Sequence, residues 1–210
     1  MVDFANQPLI CGSAPHYYET TGSVIDKFKT VIRHNDLLPG PKTGRNLSSM
    51  QVVNWHVLYN LQHLSLYSYV KEYSRYEMDI KNHMATYGYY KNNPSSFVTF
   101  PNNNTSVIQK ILEANRINIT ISKELRCGFS TLGLFILHKI KPLLLGFSVS
   151  KKDNYTHMYQ KNYRNVDVGH DVETENLILD ELHNKGLIDI TFCKNPEKFT
   201  FLQKGDLNLV

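Results

Sequence analysis

No run of 18 apolar residues occurs anywhere in the 210 residues, so no segment reads as a membrane-spanning helix. The amino-terminal MVDFANQPLI has neither the basic start nor the apolar core of a secretory signal. Cysteine is scarce: Cys11, Cys127 and Cys193 cannot all pair with one another, and their spacing fits no zinc motif. A reduced, cytosolic setting is the simplest expectation, and the glycosylation-type triplets at Asn46, Asn103, Asn104, Asn118 and Asn154 then carry no meaning. There is no GxGxxG fingerprint and no Asp-Xaa-Asp pair of the kind a metal-bound nucleotide sugar uses. None of the nine histidines pairs with another at helical spacing beside a carboxylate, which argues against a metal hydrolase. The net charge of +4 is small and scattered, giving no basic stripe and no case for nucleic acid. Repeats are absent as well, and no second segment has the makings of a separate core.

A hydrophobic fraction of 41% is enough for one continuous core, and the length suits a single domain spanning residues 1–210. Pro8-Leu9-Ile10-Cys11 reads as a strand that ends in the small-residue turn Gly12-Ser13-Ala14-Pro15. Residues 20–29 suit a short helix, with Val24 and Phe28 four apart. Two more strands are expected near 30–34 and 49–54, ending in Asn35-Asp36 and in Asn54. Three successive strand ends with small or polar groups would meet in one crevice of a doubly wound sheet.

From Trp55 to about Tyr76 apolar residues recur at helical spacing, and tyrosines crowd the region 67–90. Packing accounts for them, a sugar-stacking surface being the alternative. Further elements are expected as a strand at Ser95–Phe100, a helix at Ser106–Asn115 and a β-like run at Ile117–Ile121. Gly128 opens an apolar helix, FSTLGLFILH, and Leu143 to Phe147 reads as a buried strand. The polar stretch 148–168 is long for a connection and is expected to be a lid.

Residues 157–192 carry the most chemistry. Asp171 is suited to cap a helix, Glu173 and Glu175 favour its first turn, and Val172, Glu175, Ile178, Leu179 and Leu182 form one stripe. Lys185-Gly186 should end that helix, with a strand at Leu187–Phe192. His170 stands just before the cap, where a helix beginning at the mouth of a sheet would present it.

The order of these pieces resembles the sialyltransferases, both the animal-type family with its four short sialylmotifs and the bacterial family that modifies lipooligosaccharide. The first motif is matched by Ile10 to Pro15 with Val31 to Asp36, and the second by Cys127-Gly128-Phe129-Ser130 through Leu145-Gly146-Phe147. His157-Met158-Tyr159-Gln160 matches the third loosely, and His170 with Glu175 matches the last. The match covers residues 8–192 except for the middle third. Ser13 stands where the family often has Asn, Cys127 where it has Ser or Thr, and the third motif lacks its acid.

The resemblance implies an α/β fold: one Rossmann-like domain with a mostly parallel sheet and a lid at 148–168, the sialyltransferase variant of a glycosyltransferase fold. It implies sialyl transfer from CMP-sialic acid to a glycan or lipo-oligosaccharide hydroxyl, without metal and with no cofactor beyond the CMP-activated donor. His170 would be the general base. The donor would lie on Gly12, Ser13, Asn35 and Gly128, to which the strand-end reading adds Asn54, with Tyr155, His157 and Tyr159 as candidates beside the departing phosphate. CMP-Kdo is the alternative donor, and a non-catalytic nucleotide- or glycan-binding module is the alternative class. The expected setting is cytoplasmic, with room for a peripheral place at a membrane surface.

Overall fold

Two strands, Leu9–Cys11 and Leu143–Leu145, are short apolar runs buried along their whole length, as strands of a covered parallel sheet are. The computed structural model describes residues 2–12, 14, 22–34, 37–52, 89, 91–93, 97–98, 104–147, 149 and 171–202. Within them lie strands β1 (Leu9–Cys11), β2 (Val31–His34), β3 (Met50–Val52), β4 (Phe97–Val98) and β5 (Leu143–Leu145). The five form one sheet in the order β4-β3-β2-β1-β5. Every pairing is parallel, with Ile10 opposite Ile32 on one side and Leu144 on the other. The chain therefore builds outward from β1 to β4 and then returns to the far side of β1. That reversal is a topological switch point, and the carboxyl ends of β1 and β5 flank it.

The helices cover both faces. On one face α2 (Asn104–Ala114), α3 (Gly128–Leu137) and α4 (Val172–Asn184) pack on Ile10, Ile32, Val52 and Leu144. On the other, α1 (Gly22–Ile25), α5 (Thr191–Lys194) and α6 (Pro196–Phe201) pack on Leu9, Cys11, Val31, Leu143 and Leu145. The alternation of side chains along each strand assigns odd and even residues to opposite cores. Phe28, Phe192 and Phe199 fill the second core, with Phe28 stacked on Phe199 at 6.3 Å and Phe192 edge-on to it at 5.1 Å.

Two expected strands are not formed. The stretch at 187–192 makes a single parallel bridge, Asp189 to Leu143, and then turns into α5. The cause is the Asp189 carboxylate, which accepts the Thr191 N–H at 2.9 Å and its hydroxyl at 2.6 Å. That local bond takes the backbone out of a ladder. The β-like run Ile117–Ile121 likewise joins no ladder among the described residues. Arg116, at φ 56°, closes α2, and the Gln109 side chain then accepts the Ile121 N–H at 3.2 Å and donates to Ile119 O at 3.3 Å. The expected helix from Trp55 to Tyr76 lies outside the described residues. No helix among the described residues is long and apolar enough to cross a membrane.

Candidate functional site

The ladder between β1 and β5 runs on past the strands. Gly12 N–H donates to Leu145 O at 2.8 Å and Ala14 N–H to Gly146 O at 3.0 Å. A Cβ on Gly12 would collide with the Gly146 carbonyl oxygen and stand 3.0 Å from the Phe147 ring. Gly12 is thus required by the close approach of the two strand ends. Its N–H is committed to Leu145, and the space beside its bare Cα is taken by Gly146 and Phe147.

Phe147, next in the chain after Gly146, is the common neighbour at this edge. A Cβ on Gly128 would meet its Cε1 at 2.9 Å, and the His34 ring stands edge-on to it with centroids 6.3 Å apart. Gly128 begins α3, a ten-residue helix whose next two N–H groups close turns back onto Arg126 O and Cys127 O. The start of α3 therefore lies beside the carboxyl ends of β1, β2 and β5, where a helix N-terminus favours an anion.

His34, the last residue of β2, ties these parts together from below. Its Nδ1 lies 3.0 Å from Cys11 O and its Nε2 3.0 Å from Thr131 Oγ1. A carbonyl oxygen can only accept, so Nδ1 carries the proton, and Nε2 accepts from the threonine hydroxyl. Burial lowers its pKa below the 6.5 of a free imidazole, with the Cys11 carbonyl working in the opposite direction. A histidine depressed in the fold binds a proton more readily when unfolded. Its contribution to stability is fully present above pH 6.5 and is lost as the pH falls below that value toward its folded pKa. Thermal melts from pH 7 down to 5 should show falling midpoints, and His34→Gln should flatten part of that decline. A profile identical in the variant would mean that other groups set the slope.

On the opposite face of β2, Arg33 is wholly buried, and neutral oxygens hold its guanidinium. It donates to Thr43 O at 3.2 and 2.7 Å, to Gly44 O at 3.2 Å and to Ser48 Oγ at 3.0 Å. Ser48 in turn donates to Gln51 at 2.9 Å. The arginine of the first sequence motif is thus a clamp on the loop 40–48.

The fourth motif is joined to the second by Glu175. This carboxylate is fully buried; Oε1 accepts the Arg126 backbone N–H at 2.7 Å and Oε2 accepts its Nε–H. Arg126 lies two residues before Gly128, so the clamp fixes the start of α3 against the first turn of α4. At that start Asp171 caps the helix, accepting Thr174 N–H at 3.1 Å and the Thr174 hydroxyl at 2.8 Å. Those bonds hold its carboxyl below the usual carboxylate range, the backbone one first. Asp171→Ala should lower stability by about 1 kcal/mol in urea titrations. An unchanged midpoint would mean that the cap is redundant.

Of the residues expected to form the site, Gly12 and Gly128 are brought to one place through Phe147. Ser13, Asn35, Asn54, Tyr155, His157, Tyr159 and His170 lie outside the described residues, as does the expected lid at 148–168 except Val149. Chain connectivity still puts Asn35 directly after His34 and His170 directly before the Asp171 cap. His34, Thr131, Phe147, Arg126 and the role of Glu175 were missed by sequence reasoning. The signals for them were coarse: His34, Thr131 and Phe147 lie inside the first two motif segments, and Glu175 lies in the last motif and at a core position of the α4 stripe.

No family model and no curated protein matches this chain. Among solved structures it is similar to the sialyltransferase CstII from Campylobacter jejuni in complex with a substrate analogue, cytidine-5'-monophosphate. Identity is 17%, the similarity covers 87% of this chain and 77% of that one, and the TM-score is 0.43. A second structure of the same enzyme, in complex with CMP-3FNeuAc, is 15% identical over 85% of this chain and 78% of that one, with a TM-score of 0.44.

Proposed function

We propose that this chain is a glycosyltransferase that moves sialic acid from CMP-sialic acid to a glycan hydroxyl, with His170 as the general base. The observation that carries the reading is the Glu175 clamp, which joins the helix start after His170 to the turn that opens α3. The ends of β1, β2 and β5 complete the same corner through His34 and Phe147. A nucleotide phosphate at the start of α3 would gain from its dipole, and Asn35 and Asn54, which follow β2 and β3 in the chain, would supply amides for ribose and base.

In the proposed step the acceptor hydroxyl forms a bond to the anomeric carbon of the sugar while the bond from that carbon to the CMP phosphate oxygen breaks. The phosphate leaves with the electron pair and the hydroxyl proton passes to His170. Tyr155, His157 and Tyr159 would donate hydrogen bonds to the departing phosphate, and the scheme requires no metal.

Incubation with CMP-Neu5Ac and separately with CMP-Kdo, following CMP release, is the direct test. Faster release from CMP-Neu5Ac supports the reading, and faster release from CMP-Kdo moves it to the alternative donor. Calorimetric titration with CMP adds a second measure, in which Asn35→Ala should weaken binding. CMP that binds with neither donor being turned over would favour the non-catalytic module.

A further inference from the structure

The end of α3 opposite its Gly128 start shows a feature that the proposed transfer does not use. Five consecutive residues there, Leu137 to Lys141, are exposed. Two are large aliphatics, Leu137 at 63% and Ile140 at 41%, and the other three are His138, Lys139 and Lys141. Just before them Leu134, Phe135 and Ile136 are half-buried, with Phe135 and Ile136 packed against the core. Lys139 takes a left-handed backbone, φ 57°, its N–H bonded to Ile136 O at 2.9 Å, and Ile140 N–H reaches back to Phe135 O at 2.9 Å. The tip is therefore a closed, bonded turn that holds its two aliphatic side chains out.

Single exposed apolar residues are common on protein surfaces, but here two neighbouring aliphatics share one short turn with two lysines and no acid of that segment. The sequence contains no Asp or Glu from residue 125 to residue 152. Asp189, which pairs beside Pro142, has its carboxylate engaged with Thr191. A second copy seated on this tip about a two-fold axis would set the lysines against themselves with no acid of the tip to answer them. A nucleic acid would match the lysines and gain nothing from Leu137 and Ile140. An anionic bilayer matches both, since aliphatic side chains enter the headgroup boundary while lysines meet the lipid charge.

We propose that the tip Leu137–Lys141 docks on the surface of an anionic membrane. One consequence rests on the proposed function. Gly128 and Leu137 are the two ends of the ten-residue α3, so the transfer site stands about 15 Å from the tip. A chain docked this way would reach sugars held away from the lipid surface, at the outer end of a membrane-anchored glycan.

The test is sedimentation with vesicles of phosphatidylcholine alone and of equal parts phosphatidylcholine and phosphatidylglycerol. The whole chain should bind the anionic vesicles and bind the neutral ones far less, with binding that weakens as salt rises. Lys139→Asn with Lys141→Glu should reduce that binding about tenfold or more, since each lysine near such a surface contributes roughly fivefold. Asparagine is chosen at 139 because it accepts the left-handed backbone. Leu137→Ser with Ile140→Ser should give a loss of similar size. Release of CMP from the donor in vesicle-free solution should be unchanged in both variants. Equal binding to neutral and anionic vesicles, or variants that bind like the parent, would overturn the proposal. So would a parent dimer that Leu137→Ser/Ile140→Ser makes monomeric, because the tip would then be an interface between copies. Failure of the parent to turn over either donor would count against the proposed function and leave the vesicle result standing by itself.

Discussion

Glu175→Ala is expected to lower the unfolding free energy by about 3 kcal/mol, the largest effect of any single substitution considered among the described residues. The change leaves the Arg126 backbone N–H without its acceptor, which by itself costs about 1–3 kcal/mol when the group is buried. It also removes a carboxylate partner of the Arg126 guanidinium. Breaking a fully buried pair costs about 3–5 kcal/mol, but the arginine side chain is 25% exposed and can regain water, which brings the figure down. Glu175→Gln should fall in between. One amide oxygen can serve either the backbone N–H or the Nε–H, and the amide NH2 then confronts the other donor. Urea denaturation of the three proteins decides the matter. A Glu175→Ala midpoint equal to that of the parent would mean that the clamp is not formed in solution.

That clamp also marks where the sequence stops being readable. Strands β1 and β5 are legible because their residues are apolar on both faces, β2 because Val31 and Ile32 open it, and the start of α4 because Asp171 is followed by a helical stripe. These signals are local. Glu175 was legible as a core position of the stripe and as a first-turn acid, yet its partner Arg126 is 49 residues away. His34 and Thr131 are 97 apart, and nothing in either neighbourhood announces the contact. Gly12 was read as a place for a phosphate; its bare Cα is demanded first by Gly146 on the neighbouring strand. The same limit explains the strands that failed to form. At Leu187–Phe192 the apolar pattern favoured a strand, and one carboxylate, Asp189, captured the backbone of Thr191 instead. At Ile117–Ile121 the alternating isoleucines suited a ladder, but the side chain that answers their backbone comes from a helix.

His170→Ala carries the largest expected effect on activity, a fall in turnover of roughly 10²–10⁴, the usual contribution of a positioned general base. An imidazole with an ordinary pKa near 6.5 is mostly neutral at pH 7 and able to take a proton from the acceptor hydroxyl. Because the base would face the acceptor, CMP affinity measured by calorimetry should stay close to that of the parent. Stability should change by no more than about 0.5 kcal/mol, the usual range for a residue outside a cap. Asp171→Ala is the control one residue along. It removes the bonds to Thr174 and costs stability, but it should affect turnover only through the setting of α4. The two substitutions therefore separate chemistry from scaffolding: the first should lower turnover and spare the melting midpoint, and the second should do the reverse. A His170→Ala protein that turns over normally, or one that loses its fold, would remove the histidine from the mechanism. Asp171→Ala would then mark the start of α4 as a structural joint alone.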